Sequence, residues 1–291
     1  MDSPYTVWRE GGDASAPFIV CAMFTPGYEA KAERLTSSLG GLSHAIFNVP
    51  QVHRSISAGG GDDLDFSKPR FIAFALRHFR KPVLYVDADV IFRKSPERIA
   101  ALCAEGCDFA IYNWLSDPMN DAWRPEPGGR LWKFFFSVDV ASDSQLMASG
   151  AVQFWRGSDA AFALLKDWEQ ALNRHPRSED DHCLDFAYNH GDRTGLKPAW
   201  LPKDHARYAF WIYSDPVIDH PEFPAPVTGA FEPLGSTRFA REKISRASKR
   251  QPFPREAIVD AQSLQLMQQR PDGGFTPIGP LPMPLFLPKA D

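Results

Sequence analysis

The sequence predicts an α/β domain with a mixed, mostly parallel sheet flanked by helices, and three observations carry that expectation. Short apolar runs alternate with amphipathic segments over about the first two hundred residues, the pattern of strands that take turns with helices. The two strongest runs, Phe18 to Phe24 and Val83 to Val86, lack the polar alternation of a half-exposed strand and so suit strands covered on both faces. Each stops at a polar or turn-forming step, Thr25-Pro26-Gly27 after the first and Asp87 after the second. In such sheets ligands bind at the carboxyl ends of the strands.

Met1 to Pro17 is polar, has no hydrophobic leader core, and reads as an N-terminal tail over residues 1–17. After the first strand, Ala30 to Leu39 reads as a helix with Ala32, Leu35 and Leu39 on one face, and Ser43 to Val49 as a second strand. His53 to Asp65 contains Gly59-Gly60-Gly61 and reads as a loop. Lys68 to Phe79 places Phe71, Phe74, Ala75 and His78 at i, i+3, i+4 and i+7, a helix leading into the Val83 strand. Ile91-Phe92 resumes the apolar pattern. Pro96 to Cys103 follows as a helix with Ser95 as N-cap and Pro96 at its first position. Phe109 to Trp114 and Ala151 to Trp155 read as strands, Ser116 to Arg130 as a loop, and Ser158 to Leu172 as a helix capped by Ser158. Asp180 to Asn189 is a further helix, Trp200-Leu201 a short strand, and Pro216 to Ile218 a turn or strand end. Prolines cluster after His220. The expected organisation is therefore an α/β domain over 18–221 and a Pro-rich C-terminal extension over 222–291, partly wrapped on the domain and otherwise loosely ordered.

The 291 residues, 44% of them hydrophobic, can bury a large core. A net charge of −4 gives no general electrostatic case for nucleic acid or acidic lipid. The basic stretch from Arg238 to Arg255 reads as a solvated face or linker, with a binding patch as the alternative. Cys21, Cys103, Cys107 and Cys183 form neither a disulfide framework nor a zinc pattern and suit reduced, buried small hydrophobes of a cytoplasmic protein. No apolar run approaches the roughly 18 residues that span a bilayer.

The segment that carries chemistry is Lys81-Pro82-Val83-Leu84-Tyr85-Val86-Asp87-Ala88-Asp89-Val90-Ile91-Phe92. Two carboxylates at the exit of an apolar strand need compensation, which a divalent cation supplies. If the segment stays extended, Asp87 and Asp89 aim at one site and the small Ala88 leaves room. Oxygen ligands favour Mg²⁺ or Mn²⁺. The plainer alternative is a turn with both side chains in water. His220, after a short apolar run, is the candidate imidazole ligand, with His182 and His205 as alternatives; Asp219 would point to the opposite face of an extended segment.

Taken in order, these segments resemble the GT-A fold glycosyltransferases with an Asp-x-Asp motif, and the likeness covers about residues 18 to 221. Phe18 to Phe24 resembles their nucleotide-binding first strand, which implies roles for Phe24 and Thr25 at the donor. Lys68-Pro69-Arg70-Phe71 resembles the helix before the motif, and Ser149-Gly150-Ala151-Val152-Gln153-Phe154 the strand beside the donor sugar. Trp168 ends a helix much as in those enzymes. Asp180-Asp181-His182 resembles the acidic helix start near the acceptor. Leu201-Pro202 and Val217-Ile218-Asp219-His220 resemble the late strand and metal-binding His of the retaining, glycogenin-like branch.

The resemblance implies transfer of a sugar from a nucleotide-diphosphate-sugar donor, a UDP-sugar in particular, with Mn²⁺ or Mg²⁺ on Asp89 and His220. Asp87 would bind the ion directly or through water, or reach the ribose, beside Ala88. Lys68 or Arg70 would add positive charge at the phosphates. Ser149 and Gly150 would lie against the donor. Asp181, with Asp180 second, would serve the acceptor hydroxyl, the bland alternative being helix capping. The acceptor is left open among a saccharide, a lipid-linked glycan, a protein and a modified nucleic-acid base. The sequence departs from that branch in two places. Pro221-Glu222-Phe223-Pro224 follows His220 where a Gly and then Lys-Pro-Trp are usual, so the diphosphate-binding Lys is missing. Met147-Ala148, not an Asn, precedes Ser149-Gly150. Trp114, Trp123, Trp132, Phe134, Phe135 and Phe136 offer core or a stacking platform. A sugar-phosphate nucleotidyltransferase is the rival enzyme, disfavoured because Thr25-Pro26-Gly27-Tyr28 is not a Gly-rich basic loop; an inactive nucleotide- or carbohydrate-binding module is the non-enzymatic rival.

Overall fold

The structure is a computed structural model that describes residues 5–49, 67–113, 115–116, 145–174, 180–205 and 216–220, together with the backbone of four strands between 231 and 280. Its centre is a seven-stranded sheet. The strands are β1 (Thr6–Gly11), β2 (Ile19–Phe24), β3 (His44–Asn48), β4 (Val83–Val86), β6 (Phe109–Asn113), β7 (Ala148–Trp155) and β8 (Pro198–Trp200), in the order β1-β3-β2-β4-β7-β6-β8. The pairs β3-β2, β2-β4 and β6-β8 are parallel; β1 and β7 run against their neighbours. A short ribbon of β5 (Ile91–Phe92) and β9 (Ile218–Asp219) pairs antiparallel beside it.

The non-alternating strands are buried on both faces, as their composition requires. Val20, Ala22, Phe24, Leu84 and Val86 share one core with Leu35 of helix α1 (Glu29–Ser38) and with Ile99 and Leu102 of α3 (Glu97–Glu105). Ile19, Cys21, Met23, Val83 and Tyr85 face the other core. It is built on Phe71 and Ala75 of α2 (Lys68–Phe79), Leu165 and Trp168 of α4 (Asp159–Arg174), and Leu184 of α5 (Asp180–His190). Burying a Leu, Phe or Val side chain contributes roughly 1.5–3 kcal/mol, so these two layers dominate the driving force that aligns β2 beside β4. All four cysteines are free, and all but Cys103 are buried.

Four expectations need correction. β1 lies inside the segment read as a tail, antiparallel to β3 at the sheet edge. Its mostly exposed residues gave no apolar run, and Trp8, edge-on to Phe24 at 5.1 Å, is its anchor in the core. Ser95 does not cap α3: Pro96 stands at the N-cap with ψ 65°, outside the helical range, so the helix starts at Glu97. Ser158 does cap α4, its Oγ accepting the Ala161 N–H at 3.2 Å. β7 begins at Ala148, three residues before the expected start, because the small Ala148-Ser149-Gly150 stretch hides an edge-to-edge pairing with β6. The C-terminal extension contains an antiparallel meander, β10 (Phe231–Pro233), β11 (Ala257–Asp260), β12 (Gln265–Gln269) and β13 (Phe275–Pro280). Pro277 and Pro280 sit within β13, against the usual exclusion of proline from strands. The glycine loop at 59–61 and the aromatic cluster at 114, 123, 132 and 134–136 lie outside the described residues. No helix among the described residues is long and apolar enough to cross a membrane.

Candidate active site

At the carboxyl end of β4 the chain turns. The Asp87 N–H still donates to the Ala151 carbonyl at 2.9 Å, continuing the ladder to β7, while the Val90 N–H returns to the Asp87 carbonyl at 3.2 Å. The motif is therefore a turn rather than the extended segment expected, and its two carboxylates take different partners. Ala88 between them is buried.

Asp87 faces the β7–α5 side. Lys68 Nζ lies 3.0 Å from its Oδ1 and 2.8 Å from Oδ2 of Asp180. The Tyr85 hydroxyl donates to Asp87 at 3.1 Å. Lys68 comes from the first turn of α2, where Pro69 sets the helix start, and its side chain is only 3% exposed. Burial alone would push its ammonium pKa down; the charges of Asp180 and Asp87 override that and raise it well above the ordinary lysine value. Burial raises Asp180 to about 7; Lys68 opposes the rise, and Asp181 and Asp87 add to it. Asp185, one turn along α5, accepts the Ala148 N–H at 2.7 Å, and burial with the nearby Asp181 charge pushes its carboxyl well above the usual range.

Asp89 faces the α1–β9 side. Because Ile91 pairs with Asp219 in the β5–β9 ribbon, His220 is carried to the turn, and its Nε2 lies 3.2 Å from Asp89 Oδ1. Lys31 Nζ is 3.4 Å from Asp89 Oδ2. Burial works to raise Asp89, but the hydrogen bond and charge of His220, with Lys31 behind them, outweigh it and hold this carboxylate at about 2. Asp219, the neighbour of His220, points elsewhere: Arg93 donates to its Oδ2 from Nε at 3.1 Å and from Nη2 at 2.9 Å.

Gly150 is where β7 meets the start of α5. A Cβ there would come 3.2 Å from the Asp181 Cβ and 3.7 Å from Lys68 Nζ, so a hydrogen is what lets these groups approach. The Gly150 carbonyl accepts from Gln153 Nε2 at 2.8 Å and faces Lys68 Nζ at 3.4 Å. Ser149 Oγ is buried with no hydrogen-bond partner among the described residues. Asp181, with its side chain 24% exposed, accepts the His182 N–H at 2.9 Å, a local bond at the start of α5. Trp168 Nε1 holds the start of α5 by donating to the Asp180 carbonyl at 2.7 Å.

The fold thus brings Lys68, Asp87, Gly150, Asp180 and Asp181 together, and sets Asp89 with His220 beside them. Arg70 stands apart, pairing with Glu169 of α4 at 2.6 Å; two residues from Lys68 on a helix, it projects about 200° away. Phe24 packs in the core, so only its backbone reaches the sheet edge, and Thr25 follows it into the loop. Sequence reasoning missed Lys31, Tyr85 and Asp185. For Asp185 the signal was present, as acidic residues at 181 and 185 share one helical face.

An Asp carboxylate and a His imidazole suit a divalent ion of intermediate hardness. Among the described residues no group of three such side chains stands close enough to hold one, because Asp87 is turned to Lys68. The remaining ligands would come from a bound anion and water.

The family model described as nucleotide-diphospho-sugar transferase matches residues 64–225, which span the motif turn, β7, α5 and His220. No curated protein matches the chain. Similar solved structures include an active-site mutant of LgtC, at 14% identity and TM-score 0.41, covering 82% of this chain and 98% of that one. Mouse xyloside xylosyltransferase 1 is 11% identical with TM-score 0.40, over 72% of this chain and 99% of that one. A glycosyltransferase involved in the glycosylation of the major capsid of PBCV-1 is 12% identical with TM-score 0.40, over 65% of this chain and 83% of that one. Similarity this low adds nothing to the family match.

Proposed function

The chain belongs to the nucleotide-diphospho-sugar transferase family and is a glycosyltransferase, and from that premise we propose that it moves a sugar from a UDP-sugar to a hydroxyl acceptor with the help of Mn²⁺ or Mg²⁺. The observation that carries the reading is the 3.2 Å approach of His220 to Asp89 at the carboxyl end of the central strands. We assign the work to the unit over 18–221. Asp89 and His220 would hold the ion, with Asp87 alongside through water or the donor ribose; the ion would offset charge growing on the departing diphosphate.

The chain's own groups do the rest. Lys68 fixes Asp87 and Asp180 and keeps the floor of the site electrically balanced without motion at the moment of reaction. Gly150 and the buried Ser149 hydroxyl line the space against the donor sugar. Asp181 receives the acceptor hydroxyl and steers its oxygen to the anomeric carbon as the bond to the diphosphate breaks. The acceptor is a saccharide, a lipid-linked glycan, a protein or a modified base, and the acidic surroundings favour a neutral hydroxyl over an anionic substrate.

The test is calorimetric binding of UDP with and without Mn²⁺. UDP is expected to bind with the ion and to lose about tenfold or more in Asp89→Asn, the scale of removing one charged ligand. Unchanged ion-dependent binding in Asp89→Asn would end this reading of the site.

A further inference from the structure

We propose that Asp185 and Asn189 of α5, with Asn113 at the end of β6, are positioning residues of the transfer reaction: they grip the backbone of 145–148 and so fix where Ser149 and Gly150 stand against the donor sugar and against Asp181. The inference rests on the reading of Ser149 and Gly150 as donor-sugar residues and adds side chains that reading does not use.

The sheet does not hold this stretch by itself. The register of β6 on β7 passes from Ile111 opposite Gln153 directly to Tyr112 opposite Ser149, so Gly150, Ala151 and Val152 bulge out of that ladder. On the other side β4 pairs with β7 from Val152 to Trp155, and the Asp87 N–H extends that ladder to the Ala151 carbonyl. Gly150 therefore stands outside both ladders.

Side chains take over before it. Leu146 and Met147 are buried ahead of the first residue of β7, so their backbone groups need partners from elsewhere. Asn189 Oδ1 accepts the Gln145 N–H at 2.7 Å and the Leu146 N–H at 3.1 Å, and its Nδ2 donates to the Leu146 carbonyl at 2.8 Å. Asn113 Oδ1 accepts the Met147 N–H at 3.0 Å, and its Nδ2 donates to the Gln145 carbonyl at 2.8 Å. Asp185 accepts the Ala148 N–H at 2.7 Å. Every N–H from Gln145 to Ala148 thus ends on a side-chain oxygen.

Helix and strand match in pitch. Asp181, Asp185 and Asn189 follow one another on one face of α5, and each helical step of that kind rises about 6 Å. Gly150, Ala148 and Leu146 are alternate residues of the strand, and each such step covers about 6.5 Å of extended chain. One helix face can therefore meet the strand at every second residue: Asn189 on Leu146, Asp185 on Ala148, and Asp181 against Gly150, where an added Cβ would lie 3.2 Å from the Asp181 Cβ. The acceptor-side carboxylate and the donor-side strand are locked together by this face, and a displacement of about 1 Å between reacting groups can cost about a hundredfold in rate. Burial, and then the Asp181 charge, push the Asp185 carboxyl well above its usual range, so a neutral amide is its matching replacement.

The experiment is Mn²⁺-dependent hydrolysis of UDP-glucose, UDP-galactose and UDP-N-acetylglucosamine by the full chain and its Asp185→Leu, Asp185→Asn and Asn189→Ala variants, with calorimetric UDP binding beside it. On the donor that the parent cleaves, Asp185→Leu and Asn189→Ala are expected to lose about tenfold to a hundredfold in kcat. Their UDP affinity should stay within roughly threefold of the parent, because UDP carries no sugar to misplace. Asp185→Asn keeps an oxygen for the Ala148 N–H and should recover most of kcat. Asn189 is half-buried, so its variant carries the test if Asp185→Leu does not fold. Unchanged kcat in Asn189→Ala overturns the proposal. So does an Asp185→Asn variant as slow as Asn189→Ala, which would put the carboxyl itself in the chemistry, and so does an equal loss in UDP binding, which would mean a general loosening of the fold. A parent that binds UDP with Mn²⁺ but cleaves none of the three donors removes the role given to Ser149 and Gly150 and this inference with it; a parent and variants that turn over equally remove the inference alone.

Discussion

Asp87 and Asp89 are one alanine apart, yet the fold treats them in opposite ways. Asp87 looks inward to a lysine that is 3% exposed and shared with Asp180, and Tyr85 adds a hydrogen bond. Asp89, less exposed than Asp87, meets the mostly buried His220 and a quarter-exposed Lys31. The first region is built on the buried Lys68–Asp180 pair, whose members have few alternatives once folded. The second region is held by groups that exchange partners readily, since imidazole also ligates metal and a lysine at the mouth also meets water or anion. The difference teaches that one short motif divides its two carboxylates between two sets of partners: Asp87 joins the Lys68–Asp180 pair, and Asp89 joins His220 and Lys31.

The strongest way to break that comparison is to remove the inner cation. Lys68→Met leaves the buried Asp180 beside Asp87 with no cation between them. Breaking one partner of a buried pair costs about 3–5 kcal/mol, and that loss is expected in denaturant melts at pH 8. The pH dependence follows from Asp180, whose folded-state pKa of about 7 lies above its ordinary 3.8. A raised carboxyl contributes stability that is fully present below about pH 4 and is lost as pH rises through 7. Without Lys68 to oppose it, the rise grows and the window moves higher. The deficit of Lys68→Met should therefore shrink markedly at pH 5, where Asp180 carries its proton. A deficit independent of pH would mean that lost packing, not charge, is what Lys68 prevents. Lys31→Met, on the outer side, should leave stability nearly unchanged at both pH values.

A smaller effect, on rate rather than stability, is expected at Asp181. This residue belongs to the inner group by position, yet its side chain is 24% exposed and one oxygen is taken by its local bond to the His182 N–H. Asp181→Asn keeps that bond and removes the charge. Turnover should drop by about tenfold to a hundredfold or more, the scale of losing a positioned acid or base, with donor affinity altered far less. Loss of donor affinity with turnover intact at saturating donor would move Asp181 from the acceptor side to the donor side.

How much of this was legible beforehand depended on whether burial left a mark in composition. β4 and α2 have the bounds expected of them, because residues covered on both faces or along one stripe must be apolar. β1 was invisible since an edge strand with mostly exposed side chains needs no apolar run. The prolines of the last seventy or so residues masked a meander, because local propensity is a weak prior against pairing with neighbours. In the site, the two Asp positions stood out, but their divergence did not. It depends on a turn closed by one backbone hydrogen bond, and no residue type in Asp87-Ala88-Asp89-Val90 demands that turn. Lys31 was missed because a charged residue in the first turn of a surface helix looks like any solvated position, and only tertiary placement puts it at Asp89.

The smallest expected effect sits one residue from one of the largest. Asp219 and His220 are consecutive on the β9 side of the ribbon, and the extended backbone sends them to opposite faces. His220 meets Asp89, while Asp219 takes the two-pronged contact from Arg93, a residue whose side chain is 51% exposed. With Arg93 this open, water screens the pair from one side and lowers what it contributes. Asp219→Asn keeps an oxygen for Arg93 and is expected to lower the melting temperature only slightly. The ion site should not feel it, because the β5–β9 pairing that carries His220 to the turn is made by backbone groups. Mn²⁺-dependent UDP binding in Asp219→Asn is therefore expected within roughly twofold of the parent, while His220→Ala loses about tenfold or more. If Asp219→Asn proved as damaging to binding as His220→Ala, the two neighbours would be acting as one unit, and Asp219, not the imidazole alone, would have to be counted among the groups that meet the ion.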